Sequence, residues 1–168
     1  MKSEEENKEI LINAISPFFN ISEERWGKHV YGDNVRIDMI VQPKRHDQWR
    51  GGKNTLLGIE VKPDYDNFNH ITGLLVQAID YRNSKWRLKG GDFKHIPIFL
   101  YPNPLSHPKI DAYFLERFLG RMNIGVIEYL DYKECFEFRM SACPIFDTVE
   151  GAKKKAMNFK FETTFGRQ

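Results

Sequence analysis

The sequence has few cysteines. Only Cys135 and Cys143 occur among 168 residues. Two thiols cannot build a disulfide framework, and none of the five histidines stands at zinc-finger spacing from them. Both cysteines are therefore expected to be packing residues.

Long apolar stretches are also missing. The uncharged run 67–79 is among the longest, and it falls short of the roughly 20 residues that span a bilayer. Residues 2–9 are mostly charged, where a signal peptide would need an apolar segment. These absences predict a soluble, intracellular (cytoplasmic) protein with no membrane partner.

The net charge is small as well, because 25 basic residues nearly balance 23 acidic ones to give +2. A total this close to zero does not by itself indicate a nucleic-acid partner. The distribution is more informative, since residues 1–24 carry −4 and the remaining chain carries +6. With 41% hydrophobic residues, the chain can bury a core. It is expected to form one domain over residues 1–168.

Hydrophobic patterning predicts an α/β fold with a mixed central β-sheet flanked by helices. Ser3 and Glu6 have the spacing of a capping box, which predicts a first helix from about Ser3 to Ser16, closed by Pro17. Further helices are predicted over 66–86 and 108–119, and strands over 25–31, 35–41, 56–62, 96–101, 124–130 and 135–140.

Two of these strands carry the residues with the clearest chemistry. In 35–41 the odd positions are apolar, so Asp38 is expected to share a face with Arg36 and to point away from the core. Glu60 and Lys62 share the polar face of the next strand. If the two strands pair, both carboxylates converge, which suits Mg²⁺ and a phosphodiester, and the Val61 carbonyl could supply another oxygen.

Asp38 followed by Gly58-Ile59-Glu60-Val61-Lys62 resembles the PD-(D/E)XK nuclease motif. The segment from Gln77 to Tyr81 is similar to the Gln-X-X-X-Tyr motif of RecB-like members of that superfamily. The residue before Asp38 is Ile37, where the family name has Pro.

The resemblance implies a restriction-endonuclease-like αβββαβ core over about residues 3–101, with a C-terminal αβ(β) extension over about 102–168. It implies that Asp38 and Glu60, with the Val61 carbonyl, bind Mg²⁺ or Mn²⁺.

The resemblance also implies roles for residues around the metal. Lys62 would serve the nucleophilic water, Gln77 would lie near the metal site among the catalytic residues, and Tyr81 would lie near the strand or the DNA. An acid on the first helix sometimes adds a metal contact in this family, and both Glu6 and Glu9 are candidates here.

The implied activity is metal-dependent hydrolysis of DNA phosphodiester bonds, endonucleolytic rather than exonucleolytic. The protein would act as a homodimer or as a subunit of a larger nucleic-acid-processing complex. Two alternatives stay open: cleavage of RNA by the same site, and a noncatalytic nucleic-acid-binding or inhibitor module on the same fold. The Glu60–Lys62 pair could also be an ordinary exposed ion pair, which contributes little to stability.

Basic residues cluster near aromatic ones in two segments, a combination that suits phosphate contact and base stacking. The first surrounds Trp49, and the second surrounds Trp86. Ordinary solvated loops are the alternative. The candidate nucleic-acid contacts in these segments are Lys44, Arg45, Arg50, Lys53, Arg82 and Lys85. A third cluster lies near the C-terminus, where a flexible tail and an edge strand through Phe159 and Phe161 are the alternatives.

Overall fold

The computed structural model describes residues 1–64 and 68–157, which form a mixed β-sheet with α-helices packed on it. The predicted mixed α/β class is therefore confirmed. The helices are α1 (Glu4–Ile15), α2 (Phe68–Arg82) and α3 (Ala112–Arg121). The strands are β1 (Phe19–His29), β2 (Asn34–Pro43), β3 (Leu57–Val61), β4 (Ser84–Lys85), β5 (Ile98–Tyr101), β6 (Ile124–Leu130), β7 (Cys135–Met140), β8 (Cys143–Asp147) and β9 (Gly151–Ala152).

The sheet order within the described residues is β4-β1-β2-β3-β5-β6-β7-β8-β9. The pairs β3–β5 and β5–β6 are parallel, and the other neighbours are antiparallel. The parallel strands need crossovers, which α2 and α3 provide. Because β5 pairs with β6, the predicted core and the predicted C-terminal extension share one sheet.

A hydrophobic core lies on each face of the sheet. On one face, Leu11 and Ile15 of α1 pack in a core that includes Phe99. On the other face, the core contains Leu74 of α2 and Leu119 of α3. The central strands are covered on both sides, so their sequences do not alternate simply between polar and apolar residues.

Strand β2 changes its inward face at Asp38. Ile37 joins the core beneath α2, whereas Met39 joins the core beneath α1, although alternation would place them together. Glu24 of β1 lies opposite Asp38, between the pairs Glu23–Met39 and Arg25–Ile37. Its φ of 47° lies in the left-handed region, so the backbone of β1 is also irregular at this point. Ile40 is also fully buried. The expectation of a single apolar face on this strand is therefore wrong, because both faces of the sheet are covered.

The capping box of α1 is confirmed. The Glu6 N–H donates to the Ser3 hydroxyl oxygen, and the Glu6 carboxylate accepts from the Ser3 N–H. The following strand begins at Phe19 rather than near Arg25. Phe19 is buried against Phe138 and Phe146, a tertiary contact that local patterning does not contain.

Helix α2 ends at Arg82, so the prediction of helix as far as residue 86 is wrong. The Ser84 hydroxyl donates to the Asp80 carbonyl, and the Trp86 indole N–H donates to the Tyr81 carbonyl. The Trp86 ring is completely buried, and β4 takes the chain away from the helix to pair with β1. Residues 65–67, within the predicted start of this helix, lie outside the described residues.

Helix α3 begins at Ala112 rather than at Pro108. Its N-cap is Asp111, whose carboxylate accepts from the Phe114 N–H at 3.2 Å. Gly120 lies inside the helix rather than beyond its end, packed against Ser141.

Both cysteines are free. Cys135 is buried and Cys143 is half-buried. The predicted edge strand through Phe159 and Phe161 lies outside the described residues. In the part of the chain that the structure describes, no helix is long and apolar enough to cross a membrane.

Candidate functional site

Asp38 and Glu60 meet where the β2–β3 ladder ends. The two strands pair through Met39 and Ile59, so Asp38 and Glu60 are the next residues in the same register. The Val61 N–H donates to Asp38 Oδ2 at 2.7 Å, so a side chain rather than a strand carbonyl accepts this hydrogen bond. The predicted pairing of the two strands is therefore confirmed, and it brings Asp38 close enough for its charge to act on Glu60.

Glu60 is a buried carboxylate with too few hydrogen-bond donors. Its residue is 3% exposed. Oε1 accepts from the Lys62 ammonium at 2.6 Å, whereas Oε2 is buried without a hydrogen-bond partner. Burial, and after it the charge of Asp38, raise the pKa of Glu60 to about 7, because Lys62 only partly offsets them.

Lys62 remains a cation in this environment. Burial lowers the pKa of its ammonium, but the charge and hydrogen bond of Glu60 outweigh burial, so the pKa is raised. Glu4 of α1 also approaches Lys62 Nζ, at 4.0 Å. A lysine with a raised pKa is suited to stabilise negative charge rather than to remove a proton.

A structural ion pair elsewhere in the fold provides a direct comparison. Lys153 and Asp147 lie 2.8 Å apart with side-chain exposures of 24% and 2%, close to the 26% and 4% of Lys62 and Glu60. Burial raises the pKa of Asp147, but N–H donors from Glu150 and Val149 and the Lys153 ammonium outweigh it, so the pKa is lowered.

The two carboxylates have similarly low side-chain exposure and a similar lysine partner, but the pKa shifts have opposite directions. At Asp147 the N–H donors and Lys153 outweigh burial, whereas at Glu60 burial and the charge of Asp38 prevail. The alternative that Glu60 and Lys62 form an ordinary exposed ion pair therefore fails on geometry, because Glu60 is buried and one of its oxygens has no partner.

Gln77 and Tyr81 form the predicted pair one turn apart on α2. Gln77 Nε2 donates to the Tyr81 hydroxyl at 2.6 Å, and that hydroxyl donates to the Arg36 carbonyl at 2.7 Å. Burial raises the pKa of Tyr81, and the charge of Glu60 adds to the effect. Tyr81 is 5% exposed, so the expectation that it contacts DNA directly is wrong. It ties α2 to β2 beside Asp38.

Helix α1 contributes residues that the sequence did not single out. Asn7 is 1% exposed, and its amide nitrogen donates to the Lys62 carbonyl and to Asp64 Oδ1, each at 3.0 Å. Asn7 precedes the buried Leu11 and Ile15 by four and eight residues. This helical spacing was the available signal that Asn7 faces inward.

Among the acids of α1, Glu4 rather than Glu6 or Glu9 contacts the site. Glu4 lies 4.0 Å from Lys62 Nζ. Glu6 is held in the capping box, where the Ser3 N–H lowers the pKa of its carboxyl, and Glu9 is exposed.

The donors at the Asp38–Glu60 site fit a small hard cation. Mg²⁺ is usually held by one or two carboxylates together with waters and substrate phosphate, and the unpartnered Glu60 oxygen is a ligand of the right chemistry. Asp38, Glu60 and the Val61 carbonyl would supply the protein oxygens. Over residues 1–64 and 68–157, no group of three or more His, Cys, Asp and Glu side chains is placed to hold a metal ion.

The basic residues of the first predicted segment do not lie beside the carboxylates. The segment precedes β3, whereas Glu60 and Lys62 lie at the other end of that strand. Trp49 is 3% exposed in the core beneath α1, so it offers no surface for base stacking. Lys44, Arg45, Arg50 and Lys53 are all exposed.

The second basic segment is divided between core and surface. Arg82 is 2% exposed and donates to the carbonyls of Met122 and Ile96 at 2.6 and 2.5 Å. Its prediction as a nucleic-acid contact is therefore wrong, because its donors are used inside the protein. Trp86 is buried too, whereas Lys85 is exposed and lies opposite Lys28 in the β1–β4 strand pair.

No family model matches this chain, and no curated protein or solved structure is significantly similar to it. The candidate site is therefore argued from its own residues and geometry.

Proposed function

We propose that the protein is a metal-dependent nuclease that hydrolyses DNA phosphodiester bonds at Asp38, Glu60 and Lys62. The observation that carries the proposal is the buried Glu60 carboxylate, which lies beside Asp38, contacts Lys62 and keeps one oxygen without a hydrogen-bond partner. The PD-(D/E)XK-like order of these residues along two paired strands supports the same assignment.

Each residue of the site has a role that follows from its surroundings. Asp38 and Glu60, with the Val61 carbonyl, would hold Mg²⁺ or Mn²⁺. The bound ion would lower the pKa of a coordinated water and polarise the phosphoryl oxygen. Lys62, kept protonated by Glu60, orients the attacking water and stabilises the charge that develops on the phosphate.

Gln77 and Tyr81 are positioning residues in this scheme. The Tyr81 hydroxyl holds the Arg36 carbonyl, two residues before Asp38, and Gln77 fixes that hydroxyl. The contact sets the path of β2 where its inward face changes. It therefore keeps Asp38 opposite Glu60.

The proposal is tested by incubating the purified protein with end-labelled single-stranded DNA, duplex DNA, branched DNA and RNA. Each substrate is assayed with Mg²⁺, with Mn²⁺ and with EDTA. We expect metal-dependent cleavage of DNA, and a circular substrate distinguishes internal cleavage from end digestion. No cleavage of any DNA with either metal would contradict the proposal, and cleavage of RNA alone would replace DNA with RNA as the substrate.

Metal titration separates an enzyme from a noncatalytic module on the same fold. We expect Mn²⁺ binding, measured by electron paramagnetic resonance, to be lost in Asp38→Asn and in Glu60→Gln. Asp147→Asn is the matched control, since Asp147 is equally buried and bonded to a lysine. Equal binding by the wild type and both site variants would contradict metal ligation there.

A further inference from the structure

Trp26 is the one tryptophan that the fold leaves on the surface. It is 61% exposed, whereas Trp49 and Trp86 are 3% and 0% exposed. Gly27, beside it on β1, packs against the buried Trp86 ring, so strand alternation directs Trp26 to the other face of the sheet. The two tryptophans that lie inside basic segments are thus core residues, and the exposed indole lies elsewhere.

Positive charge surrounds this indole. Arg36 lies directly opposite Trp26 in the β1–β2 pair, with its guanidinium carbon 6.0 Å from the ring centroid. Lys28 lies two residues further along β1 on the same face and pairs with Lys85 of β4. Glu24 approaches the Arg36 guanidinium at 3.7 Å, so the two lysines add the further positive charge on this face.

This surface adjoins the proposed catalytic site. Arg36 precedes Asp38 by two residues, and its carbonyl accepts from the Tyr81 hydroxyl. Strand geometry places β1 one strand beyond β2, so the Trp26 and Asp38 backbones are about 8 Å apart. Trp26 and Asp38 therefore lie on neighbouring strands, two positions apart in the register.

We propose that Trp26 is a stacking platform for an unpaired base of single-stranded DNA, with Arg36, Lys28 and Lys85 contacting the adjoining phosphates. An exposed indole beside cations is the combination by which proteins hold single strands without reading their sequence. A base inside a duplex is stacked on both faces and offers no surface to the indole. The inference rests on the proposed nuclease function, and it narrows the substrate to DNA with a single-stranded segment.

The test measures binding without cleavage, in EDTA, by tryptophan fluorescence and by anisotropy of a labelled oligonucleotide. We expect a single-stranded oligodeoxynucleotide to quench the red-shifted emission of Trp26, and we expect a blunt hairpin duplex of matched sequence to quench it weakly. Trp26→Phe should abolish the quench, since the remaining tryptophans are buried. Trp26→Ala should weaken binding roughly tenfold or more.

Tyr132→Ala is the matched control. Tyr132 is 78% exposed and has Lys133 Nζ at 5.7 Å from its ring, so it is another exposed aromatic residue beside a cation. We expect the control to bind DNA as the wild type does.

The outcomes separate this inference from the proposed function. Quenching that depends on Trp26, without cleavage after metal is added, would support the platform and contradict the nuclease. Cleavage with unchanged affinity in Trp26→Ala would support the nuclease and overturn the platform. Equal quenching by the single strand and the duplex, or quenching by RNA alone, would also overturn it.

Discussion

Glu60 and Asp147 show how the same pair of charges takes on different properties at two positions. Asp147 receives two backbone N–H groups and the Lys153 ammonium, and the pKa of its carboxyl is lowered. Glu60 receives the Lys62 ammonium and faces Asp38, and its pKa is raised to about 7. A buried charge that the fold does not satisfy is costly, and such positions concentrate at functional sites.

The raised pKa makes Glu60 a source of pH-dependent instability in metal-free protein. The pKa of this carboxyl is about 7 in the folded state and ordinarily 4.5. Its contribution to stability is therefore fully present at pH values below 4.5, and it is lost as the pH rises through 7. In EDTA, we expect Glu60→Gln to gain in free energy of unfolding relative to the wild type between pH 5 and pH 8, by roughly 2 kcal/mol. Urea unfolding at several pH values measures it.

Asp147→Asn should show the opposite pH dependence. The pKa of Asp147 is lowered in the folded protein, so its stabilising contribution is present above the ordinary pKa and is lost as pH falls through the folded value. A wild type that gained stability over Glu60→Gln as the pH rose would contradict the assigned environment of Glu60.

At the scale of elements, helices α2 and α3 each contain a glycine, and the two have opposite surroundings. A Cβ on Gly73 of α2 would meet nothing within 4 Å. A Cβ on Gly120 of α3 would lie 2.6 Å from the Ser141 nitrogen and 2.7 Å from its Cα. Gly120 therefore permits close contact between α3 and the turn after β7, whereas Gly73 has no such packing role.

Matched alanine substitutions test this packing. We expect Gly73→Ala to stabilise the protein by up to about 1 kcal/mol, because alanine favours the helix. We expect Gly120→Ala to destabilise it by about 2 kcal/mol or more, because backbone must move. Thermal unfolding of both variants provides the measurement, and equal effects would contradict the described α3 packing.

The elements also show which parts of the site were predictable. Asp38 and Glu60 lie on adjacent strands, Lys62 directly follows β3, and Gln77 and Tyr81 lie one turn apart, so chain order and helical spacing were enough to predict these contacts. Contacts of this kind join residues one turn apart in a helix, or residues on two strands that follow each other along the chain.

Contacts between distant elements were not predictable in this way. Asn7 reaches Lys62 across 55 positions, and the Arg82 guanidinium reaches the Met122 carbonyl across 40. Tryptophans in polar segments looked available for stacking, but Trp49 and Trp86 are buried by tertiary packing. Strand periodicity also failed at β2, because both of its faces are covered.

At the scale of the whole molecule, the charge balance has a local explanation. The acidic N-terminal helix brings Glu4 to Lys62 and Lys8 to within 3.1 Å of Glu23. Positive charge is exposed beside Trp26, on the strands next to the carboxylates. A formal charge of +2 is therefore compatible with the proposed metal site of acidic residues next to the proposed phosphate-binding surface.

The most direct test of the nuclease proposal is the rate of metal-dependent DNA cleavage by Lys62→Ala compared with Lys153→Ala. Both lysines are partly exposed and pair with a buried carboxylate, so general effects of removing such a pair should be similar. We predict that Lys62→Ala loses at least a hundredfold in rate, as expected when a charge-stabilising group is removed, while Lys153→Ala cleaves at nearly the wild-type rate. Equal rates for Lys62→Ala and the wild type would contradict the account.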